Sequence, residues 1–135
     1  MKELTTSAVI ENIALVTDFV TQQLEELNSS PKVQAQMAIA IDELFSNIAR
    51  YAYNPEVGAA TVRVEVLKDP LAVSVTFIDK GRPYDPLAKE DPDVTLSAEE
   101  HKIGGLGIYM VKKSMDGIDY EYKDGQNILK ITKNI

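Results

Sequence analysis

No cysteine occurs in the 135 residues of this chain. Disulfides, thiolate zinc sites and cysteine nucleophiles are therefore excluded. Histidine occurs once, as His101, too few for a histidine-rich metal site; it reads as a loop residue rather than the base of a Ser-His-Asp triad. No apolar run approaches the ~20 residues that span a bilayer, and the opening Met1-Lys2-Glu3-Leu4-Thr5-Thr6 has no apolar signal region; a cytoplasmic location is expected. Basic residues are outnumbered, 14 to 21, for a formal charge of −7. That balance argues against a general nucleic-acid or anionic-membrane surface, since both need clustered Lys and Arg. Any anionic ligand must be held by backbone donors, a metal or a few placed cations. Internal repeats and low-complexity stretches are also missing.

What remains is an ordinary single-domain composition, long enough for one real core. Residues Lys2 to Thr6 suit a short edge strand. From Ala8 to Leu27, the residues Val9, Ile13, Val16, Val20, Leu24 and Leu27 share one side of a helix. Phe19 lies off that stripe, exposed and suited to a partner contact. Asn28-Ser29-Ser30-Pro31 ends the helix, with Ser30 as cap and Pro31 as first residue of a second helix reaching about Tyr53. Strands are expected over Thr61 to Leu67, with Val62, Val64 and Val66 inward, and over Leu71 to Ile78, with Leu71, Val73, Val75 and Phe77 inward. Lys68-Asp69-Pro70 turns between them. Lys80 to about Lys102 is polar and aperiodic. A third helix begins near Leu106 and ends at Asp116-Gly117, and a last hairpin joins Ile118–Lys123 to Ile128–Lys133 across Asp124-Gly125. The expected fold is α+β, a two-layer sandwich with helices on one face of a mostly antiparallel sheet, forming one domain over residues 1–135.

Three features can carry chemistry. On the second helix Met37, Ile41, Leu44, Phe45, Ile48 and Ala52 form one stripe; Glu43, Asn47 and Arg50 fall roughly opposite, with small Ala40 beside them. Glu43 and Asn47 are one turn apart and point the same way. They form either a solvated helix face or a pair in which the amide oxygen holds Mg²⁺ beside substrate phosphates and the carboxylate takes a hydroxyl proton. Asp79 ends an apolar strand and precedes Lys80-Gly81-Arg82-Pro83; this is either an ordinary strand-to-turn junction or a carboxylate facing a cleft where it accepts from an exocyclic amine, with Gly81 allowing close backbone approach to a ring. Gly104-Gly105-Leu106-Gly107 opens the third helix, as a hinge or as a set of N–H groups for a phosphate. It is not a P-loop, since no Lys-Ser or Lys-Thr follows at the required spacing.

In this order, Glu43-x-x-x-Asn47, Asp79-x-Gly81-x-Pro83 and Gly105-Leu106-Gly107 resemble the N, G1 and G2 boxes of the GHKL (Bergerat-fold) ATPases. The finer resemblance is to the anti-sigma-factor serine kinases. It is carried by Ile41-Asp42-Glu43-Leu44-Phe45-Ser46-Asn47, Tyr51-Ala52-Tyr53, Asp79 to Pro86, Gly104 to Ile108 and the closing Ile131-Thr132-Lys133. The resemblance implies Mg²⁺ and ATP as cofactors, Asn47 as metal ligand and Glu43 as the catalytic base that activates a protein serine. The implied nucleotide-binding set is Asn47, Arg50, Asp79, Gly81, Pro83, Tyr84, Lys102, Gly104, Gly105, Leu106 and Gly107. It further implies a sigma factor and an anti-anti-sigma protein as partners, a homodimer, no direct nucleic acid and no membrane. A segment from about Leu87 to Ile103 would act as a lid. Two departures stand out: Tyr51 occupies a position where these kinases often carry His, and no Thr follows Gly125, where a Gly-Thr pair commonly supports the base pocket; Gln126 or Asn127 is the candidate substitute. The competing readings are a nucleotide-binding regulatory module without kinase activity and the ATPase domain of a sensor kinase. The second lacks a phosphoacceptor histidine on a long helix.

Overall fold

The computed structural model describes residues 1–88 and 105–135. Five strands form one sheet: β1 (Lys2–Ser7), β2 (Ala59–Leu67), β3 (Ala72–Asp79), β4 (Gly117–Lys123) and β5 (Gln126–Asn134). Their order is β1-β2-β3-β5-β4, and every neighbouring pair is antiparallel. Three helices, α1 (Ile13–Glu26), α2 (Pro31–Asn47) and α3 (Gly105–Ser114), pack on this sheet as the expected α+β two-layer sandwich. Val16, Val20 and Leu24 of α1, Met37, Ile41, Leu44 and Phe45 of α2, and Ile108, Val111 and Met115 of α3 meet Val62, Val64, Val73, Val75, Phe77, Leu129 and Ile131 of the sheet in a single core.

Local chemistry accounts for the element ends. The chain leaves α1 through Asn28 in the left-handed region, at φ 55°. Ser29 then returns both its N–H and its hydroxyl to the carbonyl of Leu24. Ser30 caps α2 by accepting from the Val33 N–H, with Pro31 in the first turn, as the sequence leads one to expect. The first helix is shorter than its periodicity suggests, because a separate 3₁₀ turn over Ile10–Asn12 precedes it. The second ends its α-helical part at Asn47 and continues as a widened π turn, Ile48–Ala52.

Four burial expectations need correction. Leu71 lies in the turn before β3 and is 38% exposed, and Val66 is 41% exposed because β1 pairs with β2 only as far as Val64. Ala40 lies fully in the core, because α2 runs between α1 and α3 and is covered on both flanks. Phe19 is half-buried and packs against the core, so it offers no exposed aromatic. On the central strand β3 the alternation breaks down: Ala72, Ser74 and Ile78 are buried along with Val73, Val75 and Phe77. The register partners of Ala72, Ser74 and Ile78 are Leu67, Glu65 and Thr61 on β2 and Asn134, Thr132 and Ile128 on β5. The asparagine-free turn Asp124-Gly125 closes the β4–β5 hairpin with both residues at positive φ, the geometry that a two-residue hairpin prefers.

Candidate functional site

The end of β3 delivers Asp79 to the floor of an open cleft. Leu44, Asn47, Ile48 and Ala52 line it from α2 and its π turn. Phe77 and Asp79 come from β3, Tyr120 from β4, and Asn127 and Leu129 from β5. Tyr51, Arg82, Tyr84 and Pro86 form the rest of the described lining. The cleft is thus apolar and aromatic, with one carboxylate and two amides converging in it. Such a site accepts a flat ring and reads its polar edge.

Asp79 is only 6% exposed. Its Oδ1 accepts from the Gly81 N–H at 2.9 Å and from the Asn127 side-chain amide at 2.9 Å. Asn127 is its register partner across β3 and β5. The same amide group donates to the Arg82 carbonyl at 2.8 Å, and its oxygen accepts from the Tyr84 N–H at 3.0 Å and from the Tyr120 hydroxyl. Burial, and after it the charges of Asp85, Asp79 and Tyr122, push the Tyr120 phenol above its ordinary value, against a lowering hydrogen bond from the Tyr84 backbone. Across the cleft mouth the rings of Tyr51 and Tyr84 lie 6.4 Å apart at 37°, within aromatic-pair range.

Glycine at 81 answers a protein contact. The Arg82 N–H donates to the Ala52 carbonyl at 2.9 Å, which brings the loop so close that a β-carbon at Gly81 would overlap that carbonyl. The loop after β3 is thereby fastened to the π turn after α2. Arg82 donates from its guanidinium to the Asn54 carbonyl, and Tyr53 bridges the Ala59 carbonyl, to which it donates at 2.6 Å, and the Lys80 N–H, from which it accepts at 2.8 Å.

Glu43 and Asn47 are half-buried, not a solvated face. The Asn47 amide donates to Glu43 Oε1 at 3.3 Å, which leaves the Asn47 oxygen as its free hard ligand. The Glu43 carboxylate lies against Gly107, where an added β-carbon would collide with it. Among the described residues no three carboxylate or imidazole groups converge on a metal position. A Mg²⁺ ion here would rely on Asn47 and on oxygens brought by its phosphate ligand, the few-protein-ligand arrangement that this ion tolerates.

The structure therefore brings Asn47, Asp79 and Tyr84 together in the cleft, with Glu43 joined to Asn47. Gly105, Leu106 and Gly107 form the first turn of α3. Arg50 is exposed and Pro83 is exposed, and neither lines the cleft; Arg82 and the buried Pro86 stand there in their place. The π turn moves Arg50 off the line that a regular helix draws through 43, 47 and 50. Lys102, Gly104, His101 and most of the expected lid lie outside the described residues. The residues that motif reading missed, Tyr120, Leu129, Pro86 and Arg82, reach the site through strand pairing and loop path. For Asn127 a signal existed: a two-residue turn at Asp124-Gly125 places it near the end of β3.

Comparison with known proteins agrees with this geometry. The histidine kinase-like ATPase domain family matches residues 6–133. The chain is similar to the serine/threonine-protein kinase BtrW of Bordetella bronchiseptica, 27% identical over 105 residues, covering 78% of this chain and 73% of that protein. It is similar to the serine-protein kinase RsbW of Listeria monocytogenes, 31% identical over 104 residues, covering 73% of this chain and 64% of that protein. It also matches RsbW of Bacillus cereus, 33% identical over 106 residues, with coverage of 73% and 62%. The chain thus spans slightly under two thirds of the length of these two RsbW relatives.

Proposed function

This chain belongs to the histidine kinase-like ATPase domain family, and from that premise we propose that it is a serine-protein kinase acting with Mg-ATP. The observation that carries the proposal is the placement of Glu43, bonded to Asn47 and lying against the first turn of α3. That position suits a base beside a phosphate held by helix-start N–H groups. Asp79 accepts the amino group of adenine, the ring lies among Tyr84, Tyr120, Phe77 and Leu129, and Asn47 offers its oxygen to Mg²⁺. When bound, the metal neutralises phosphate charge.

In the proposed reaction, Glu43 accepts the proton of a partner serine hydroxyl. The serine oxygen bonds to the γ-phosphorus, the bond from that phosphorus to the β–γ bridging oxygen breaks, and ADP leaves with the electron pair. Catalysis is positioning and electrostatics. The serine belongs to a small anti-anti-sigma protein, and a sigma factor is the second partner, held by a homodimer of this chain in the cytoplasm. These partner assignments rest on the resemblance to the anti-sigma-factor kinases. Among the described residues no helix is long and apolar enough to cross a membrane.

A second reading, a nucleotide-binding regulatory module without transfer activity, is favoured by Tyr51, which lines the cleft where these kinases often carry His. One experiment separates the two. The chain is incubated with γ-labelled ATP and the small serine-containing protein encoded beside it. Label on the partner's serine supports the kinase; ATP binding with no transfer to any neighbouring partner supports the module.

A further inference from the structure

We infer that Asn127 is the positioning residue that sets the base selectivity of the cleft, acting through Asp79 to admit a 6-amino purine and reject a 6-oxo purine. The inference rests on the proposed reading of the cleft as a purine nucleotide site.

The carboxamide of Asn127 uses its whole hydrogen-bonding capacity. Its two N–H groups go to Asp79 Oδ1 and the Arg82 carbonyl, with the Gly81 carbonyl at 3.5 Å, and its oxygen accepts from the Tyr84 N–H and the Tyr120 hydroxyl. Turning the amide over would set its oxygen against the Asp79 and Arg82 oxygens and its nitrogen against the Tyr84 N–H, so only one orientation satisfies these partners. Two donors, Gly81 N–H and Asn127, then occupy Asp79 Oδ1. Oδ2 has no donor among the described residues. One acceptor atom, of fixed direction, is left to face a ligand in an apolar surround. An exocyclic amine donates to it; an exocyclic carbonyl in the same place meets it oxygen to oxygen. Without Asn127 the carboxylate is free to turn, and water can enter between it and the ring, so the distinction between the two edges fades.

The test is calorimetric titration of the full chain with ATP and with ITP, whose base carries a carbonyl in place of the amine. Wild type, Asn127→Asp and Asn127→Leu are compared. The wild type should prefer ATP, and the ratio of the two affinities should fall by about tenfold or more in both variants, the scale expected when a hydrogen bond to a charged group is disordered. A purely structural role would weaken both nucleotides alike, so an unchanged ratio in folded variants overturns the inference. A wild type that does not distinguish ATP from ITP overturns the adenine reading itself. If neither variant folds, the wild type decides by nuclear magnetic resonance. The Asn127 side-chain amide protons should exchange slowly with solvent and shift with ATP but not with ITP; fast exchange, or identical shifts with both, overturns the inference.

Discussion

The carboxylate of Glu43 fills the space that a β-carbon would need at Gly107, so α2 and α3 meet at that point with a carboxylate against a bare backbone. The obstacle is the far end of a flexible side chain. Alanine at 107 would therefore push Glu43 aside without breaking the fold, and alanine is the better helix former by about 1 kcal/mol. Gly107→Ala should keep or raise the melting temperature and lower phosphotransfer by about tenfold or more, since a displaced base loses reach. Thermal melts run beside the labelled-ATP assay check both. Full transfer in the alanine variant would free Glu43 of the role given to it.

Removing the carboxylate itself is the sharper version of the same test. Glu43→Ala leaves the cleft lining intact, because Glu43 is not among the residues around Asp79. Nucleotide affinity should change little, while transfer to the partner serine should fall by ~10²–10⁴-fold, the usual worth of a general base. Transfer at the native rate would place the base elsewhere.

At Asp79 the existing hydrogen bonds dictate what an amide must do. Gly81 N–H and Asn127 hold Oδ1, so in Asp79→Asn the new oxygen takes that place and the new NH₂ faces the ligand amine, donor against donor. ATP affinity should drop by roughly 10- to 100-fold, the range for losing a hydrogen bond to a charged group. Calorimetry that finds unchanged affinity would show that Asp79 does not read the base.

The fold was legible because its elements are amphipathic and well punctuated. Ser30-Pro31 marks the start of α2, and Asp124-Gly125 marks the last hairpin. Leu71 reads as the first inward residue of β3 but lies in the turn before it, and the first buried residue of the strand is Ala72. At the site, the pairing of Glu43 with Asn47 is legible because they stand one helical turn apart, and the position of Asp79 because it ends an apolar strand. Arg50 and Pro83 stand outside the cleft lining: a π turn changes the angular step after Asn47, and Arg82 and Pro86, rather than Pro83, line the cleft from the loop after β3. Tyr120 reaches the cleft only through β4–β5 pairing, where it stands opposite Leu129, and linear spacing does not encode that.

Stability should also respond to alkali through Tyr53. Burial raises its phenol above the ordinary value near 10, with the Asp79 charge adding and the Lys80 N–H hydrogen bond opposing. The unfolded chain loses this proton first, so the contribution is fully present below pH 10 and is lost as pH rises through the folded value. Urea midpoints should hold steady up to about pH 9.5 and then decline. Tyr53→Phe should be less stable at neutral pH by about 1 kcal/mol, since it strands the Lys80 N–H and the Ala59 carbonyl, and should decline less steeply in alkali. An identical alkaline slope in the phenylalanine variant would remove Tyr53 as the source.

The proposed dimer has to be tested away from Phe19, because that ring packs against the core. Phe19→Asp should cost about 2–3 kcal/mol by placing a charge where an aromatic side chain is half-buried. The melting temperature would fall by roughly 6–10 °C, with or without a partner subunit. On the same helix Leu15 is 48% exposed, and Ile10 just before it is 45% exposed. Both follow β1, an edge strand of the sheet, whose outer N–H and C=O groups are open to pairing or cover. A symmetric association of two N-terminal regions would cover the edge and these two side chains together. Leu15→Asp should therefore leave the melting temperature of the isolated fold and its ATP affinity nearly unchanged while shifting dimer to monomer in light scattering. A wild type that scatters as a monomer at tens of micromolar would rule out the dimer. A dimer unmoved by Leu15→Asp would place its interface on another face.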